Sequence, residues 1–168
     1  MDFEQYVAQH ERMLFRFAVV LTGSVPDGED LLSQVLSVAF ARWARVSAAR
    51  NVHAYVRQML VNEYLSTRRT AGRVALRDDI VDVVDRARAQ PDHADCVAER
   101  DWLRAELARL PRRQRAAVVL RFYEGLDYEQ IAEILGCTDV TVRSNLSRAL
   151  ARLRLELSDT SEPSKGRP

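Results

Sequence analysis

Wherever this chain is apolar over more than a few residues, it is apolar at helical spacing. Phe3, Tyr6, Val7, His10, Leu14, Phe17, Ala18 and Leu21 recur at steps of three and four, which is one face of a helix. No alternating stretch of useful length and no internal repeat occurs, so the pattern predicts an all-α fold without strands. Asp2 is placed to cap the first helix and Gly23 to end it. Asp27 is the expected cap of a second helix that buries Leu31, Leu32, Val35, Leu36, Ala39, Phe40 and Trp43. After a loop of small and polar residues, Val46–Arg50, Asn51 is the expected cap of a third helix. Its inward set is Val52, Val56, Met59, Leu60 and Tyr64.

From Thr70 to about Asp95 the periodicity fails among Gly72, Pro91 and six aspartates, at 78, 79, 82, 85, 92 and 95. A structureless stretch of this length argues against one compact domain. The chain therefore divides into a helical domain at 1–70, an acidic linker at 71–95 and a second helical domain at 96–157. A disordered tail follows at 158–168. In the second domain Trp102, Leu103, Leu107 and Leu110 form an inner face that Pro111 stops, and a helix over 112–123 is ended by Gly125. Ile131, Ala132 and Leu135 then precede Gly136 and a short turn. A last helix runs from Asp139 to about Leu157, with Val140, Val142, Leu146, Leu150 and Leu153 inward. That sequence of short helix, tight turn and second helix is a helix-turn-helix.

Net charge is only +1 over 168 residues, but it is distributed in blocks. Residues 42–77 carry +7 and 102–121 carry +5, while 78–101 and 122–140 carry −5 each. Separate basic surfaces of this kind suit a polyanionic partner. Biased codon usage accounts for arginine over lysine and leaves the clustering unexplained. No apolar run approaches the ~20 residues of a membrane span, and the acidic start is no signal peptide, so the expectation is a soluble cytoplasmic protein. Cys96 and Cys137 cannot build a disulfide framework or a four-ligand zinc site. Without a glycine-rich phosphate loop, paired histidine ligands or a nucleophile elbow, no enzyme, metal or cofactor is expected.

Two constellations remain. The outward face of the last helix carries Thr141, Arg143, Ser144, Asn145, Ser147, Arg148 and Arg152, groups suited to base edges and phosphates in a major groove. A plain helical hairpin with a solvated face is the alternative. Over Arg50–Arg77, Arg57, Arg68, Arg69, Arg73 and Arg77 share the third helix and its extension with Tyr55, Asn62 and Tyr64. Such a mixture suits single-stranded or melting DNA, although the tyrosines serve equally well as core.

These segments resemble a known family, in its order, over about residues 3–155. Asp27–Leu36 with Phe40 and Trp43 looks like the core-polymerase-binding helix of bacterial σ factors. Asn51–Asn62 with Arg68 and Arg69 looks like the segment that recognises and melts the −10 element. Leu110–Ala132 resembles their fourth region, and Thr141–Leu153 its −35-reading helix. With two domains and a linker, the chain is similar to the extracytoplasmic-function group, and within it to the short SigE-type proteins of actinobacteria. The resemblance implies an alternative σ factor whose partners are core RNA polymerase, through its β′ coiled coil and β flap, and promoter DNA. It further implies an anti-σ factor where one exists, and no membrane insertion. Asp30 and Gln34 would face polymerase. Val46, Ser47, Arg50, Tyr55, Arg57, Asn62, Arg68 and Arg69 would serve the −10 element. Thr141, Arg143, Ser144, Ser147 and Arg148 would serve the −35 element.

The chain departs from the family pattern in three places. Asn145 stands where arginine or lysine is usual, Ser33-Gln34 stands where Gln-Glu is usual, and the −10 loop has no aromatic residue. A stand-alone helix-turn-helix regulator is the competing reading, and a σ-like antagonist that occupies polymerase without reading DNA is another. Dimeric binding to a palindrome without polymerase would mark the first, and core binding without initiation the second.

Overall fold

The structure, a computed structural model, describes residues 1–66 and 105–160. Every regular element among them is helical, and the chain divides into two compact units, Met1–Asp101 and Trp102–Pro168. The acidic linker, Arg68, Arg69 and the residues after 160 lie outside the described residues.

The first unit holds α1 (Phe3–Thr22), α2 (Val25–Ala41), α3 (Trp43–Ser47) and α4 (Val52–Ser66). Asp2 caps α1 in a reciprocal box with Gln5, and left-handed Gly23 closes it, as the sequence predicts. The start of α2 differs. Ser24, not Asp27, is its cap, and Ser24 Oγ accepts the Asp27 N–H at 3.4 Å. Pro26 explains the earlier start, since proline lacks the N–H that a first helical turn leaves unpaired. Packed against α1, α2 brings Gly28 over Val19, and α4 lies across both. Tyr6, Leu14, Phe17, Leu21, Leu31, Val35, Val56, Leu60 and Val61 form the core.

Phe40 departs from its predicted burial and is 60% exposed. Ala39 in the same turn is fully buried, and ~100° per residue carries Phe40 off the stripe of Leu31, Leu32, Val35 and Ala39. Phe40 meets Phe3 at 5.1 Å, and Phe3 and Tyr6 each meet Trp43 at 5.3 Å.

In the second unit residues 105–109 are helical, and α5 (Arg112–Val118) runs into a π-helical turn, Val119–Tyr123. The widened turn is closed by the Glu124 N–H on the Val119 carbonyl at 3.2 Å. Five residues of sequence cannot separate that geometry from an α-helical turn. Then come α6 (Tyr128–Leu135) and α7 (Asp139–Thr160), which runs past the predicted end near Leu157. Ala116, Ala117, Val119, Leu120, Ile131, Val142 and Ala149 make the core of this unit. The last helix therefore buries Ala149 where Leu150 was expected, and Leu150 is only half-buried.

Candidate nucleic-acid interface

The helix-turn-helix is built by local chemistry at both ends of α6. Asp127 Oδ1 accepts the Gln130 N–H at 2.8 Å, and Gln130 Oε1 accepts the Asp127 N–H at 3.1 Å. At the other end Gly136 adopts φ +60°, and the Cys137 N–H reaches back to the Ala132 carbonyl at 3.0 Å. Thr138 then starts α7, its Oγ1 accepting the Thr141 N–H at 3.3 Å and lying 2.9 Å from Thr141 Oγ1. Two caps and one left-handed glycine thus fix how α7 leaves the turn.

On α7 the buried stripe is Val142, Leu146, Ala149 and Leu153. Thr141, Arg143, Ser147 and Arg148 are exposed on the other side, and Ser144 is half-exposed. All five predicted −35 residues therefore stand on one helix, outside its core stripe. Val140 corrects the sequence reading. Expected inward, it is 69% exposed, because ~100° per residue sets it opposite the stripe.

Arg143 is held rather than free. Its Nη2 lies 3.5 Å from Asp139 Oδ2, and its Cζ is 5.0 Å from the centre of the Tyr128 ring. Arg121 takes the same distance from that ring and donates from Nη1 to the Leu126 carbonyl at 2.8 Å. Tyr128 thus stacks with two guanidiniums, a contact of about 0.5–1 kcal/mol each at an exposed site. Sequence reasoning missed Arg121 and Tyr128, because a turn between them breaks the periodicity that spacing arguments need.

In the first unit Asp30 and Gln34 are exposed one turn apart on α2. Gln34 Nε2 donates to Glu63 Oε1 on α4 at 2.8 Å. Gln34, Val38, Met59, Asn62 and Glu63 line one open cleft between α2 and α4 of about 260 Å³. The polymerase candidate Gln34 and the −10 candidate Asn62 therefore share a surface. Ser47 is exposed at the end of α3 and Arg50 between α3 and α4, and Tyr55 and Arg57 are half-buried on α4. Val46 is a correction. It sits inside α3, 1% exposed, so it packs in the core and offers no side chain to DNA.

Between α1 and α4, His10 stacks on Tyr6 at 4.5 Å and on His53 at 5.5 Å, and its Nδ1 lies 2.9 Å from the Tyr6 carbonyl. Burial lowers the His53 pKa below 6.5, with the charges of Arg57 and His10 adding to it. Burial also raises the Tyr6 hydroxyl to about 12, against the opposing pull of Arg57. Among the described residues no cluster of side chains could hold a metal ion, and no helix is long and apolar enough to cross a membrane.

The family model for σ-70 region 4 matches residues 100–153, the stretch that contains this helix-turn-helix. The chain is 34% identical over 157 residues to the RNA polymerase σ-E factor of Streptomyces coelicolor, covering 94% of this chain and 86% of that one. This chain belongs to the extracytoplasmic-function σ factors of RNA polymerase. The σ factor is also 29% identical to the SigL protein of that group in Mycobacterium tuberculosis, over 90% of its own length and 86% of SigL. Its fold is similar to RpoE of Bartonella quintana, solved in complex with the anti-σ factor NepR, at TM-score 0.68 and 28% identity. That match covers 96% of this chain and 99% of RpoE. The σ factor directs transcription initiation, and its family is one of initiation factors rather than enzymes.

Proposed function

We propose that the two units divide promoter recognition. Residues 1–70 bind core polymerase and capture unstacked −10 bases, 71–95 tether, and 96–157 anchor the −35 duplex. The observation that carries this reading is the single face of α7, where Thr141, Arg143, Ser144, Ser147 and Arg148 stand away from the core stripe. Phosphate contacts set register and base-edge contacts discriminate. Capture of bases by Ser47, Arg50, Tyr55 and Asn62 offsets a few kcal/mol per unstacked step. Arg57, Arg68 and Arg69 hold backbone phosphates. The protein catalyses no reaction itself and acts in the cytoplasm, where polymerase and promoter meet. An anti-σ factor is a further partner, on the precedent of RpoE with NepR.

Transcription in vitro with purified core polymerase on a promoter library is the test. Promoter-specific initiation dependent on this chain supports the reading, whereas tight dimeric operator binding without polymerase makes it a stand-alone regulator. Asp30→Ala should weaken holoenzyme formation by about 1.5–3 kcal/mol, the range for a hydrogen bond to a charged group, with helicity unchanged. Unchanged affinity for core polymerase would remove Asp30 from the site.

A further inference from the structure

Val140 is a branched apolar side chain, 69% exposed, in the first turn of α7. It contributes little to the core, yet it has a fixed place. Val140, Ser144 and Arg148 succeed one another at four-residue steps, so they form one row along the helix. That row lies opposite the buried Val142, Leu146 and Ala149. Thr138 anchors the turn beneath it through the Thr141 N–H, and Arg143 beside it is held by Asp139 and Tyr128.

In a recognition helix the N-terminal residues are the ones that reach base edges. The floor of the major groove is polar except for one group, the 5-methyl of thymine. We propose that Val140 packs against a thymine methyl of the −35 element and so selects an A·T pair at one position, beside the polar reading by Ser144 and Arg148. This rests on the −35 role proposed above for the face of α7.

The test uses the full chain with core polymerase on promoters randomised in the −35 element. Each thymine of the preferred element is then replaced singly by uracil, which lacks only the methyl group. At one thymine uracil should lower initiation about fourfold, the loss expected for one methyl left unburied. Val140→Ala, which keeps a good helix former, should lower initiation on the thymine promoter to a similar extent and make that position indifferent to uracil. Indifference of the wild-type protein to uracil at every −35 thymine, while Arg143→Ala still flattens a −35 preference, overturns the role of Val140 and leaves the −35 reading standing. Loss of no −35 preference in either variant, with none in the wild type, overturns both.

Discussion

Arg143, proposed above as a −35 contact, is already engaged within its own unit. Its exposed pair with Asp139 contributes between nothing and about 1 kcal/mol. In the −35 role proposed above, a bidentate contact to guanine would contribute about 1–3 kcal/mol of discrimination, more than the ion pair it replaces. The stack on Tyr128 meanwhile holds it beside that ring. Arg143→Ala should therefore cost about 1–3 kcal/mol on the preferred promoter and relax one −35 position. Equal losses on every promoter variant would make it a phosphate contact. His53 carries a prediction of a different kind. Its pKa lies lower in the folded chain than the ordinary 6.5, so below that value the unfolded chain binds the proton more readily. Stability is then complete at neutral pH and is lost as pH falls through 6.5 towards the folded value. Melting curves across this range should show the decline, and His53→Gln should flatten it. A wild-type curve already flat there would remove His53 as the cause. Tyr6 works at the other end. It stays neutral up to about 12 while the unfolded phenol ionises from 10, so it withdraws stability only in strong alkali.

Between elements the tightest demand is at the crossing of α1 and α2. A Cβ on Gly28 would lie 2.8 Å from Val19 Cγ2 and 3.0 Å from the Val19 Cα, which is backbone and cannot swing away. Gly28→Ala should destabilise the first unit by about 1–3 kcal/mol through overpacking, read as a lower urea midpoint. At Gly136 the space is open and the conformation is the constraint, φ being +60°. Alanine there should cost roughly 1–2 kcal/mol from left-handed strain alone. The two glycines were not equally legible. Gly136 follows a periodic run and precedes a capping threonine, which marks it as a turn. Gly28 looks like a weak spot in a helix until Val19 arrives from another element. The same division holds for capping. Asp2 and Asn51 were readable because each stands alone before its helix, whereas Ser24 and Asp27 compete three residues apart and Pro26 decides between them.

For the whole molecule the electrostatic blocks matter more than the net charge. Between two basic stretches, residues 78–95 hold six Asp against Arg86 and Arg88. A segment of that charge can occupy a basic surface in the free protein and keep it off DNA. Replacing the six aspartates by asparagine should then give the free chain salt-sensitive, non-specific DNA binding and alter abortive RNA synthesis by the holoenzyme. If a salt titration and the abortive products both stay unchanged, the segment is a spacer that charge keeps extended.

Helix faces, the helix-turn-helix and the family were legible in the chain alone, because each depends on spacing within a few residues or on motif order. Periodicity records which residues share a face, and caps record where a face begins. Tertiary structure decided what meets that face. Val46, expected in a loop, falls inside a core as part of the short helix α3. Gln34 and Asn62 share one cleft although 28 residues separate them. Tyr128 comes between Arg121 and Arg143 only once the turns have folded. Spacing along a chain fixes angles around one helix axis, and only packing fixes the distance from that axis to the next.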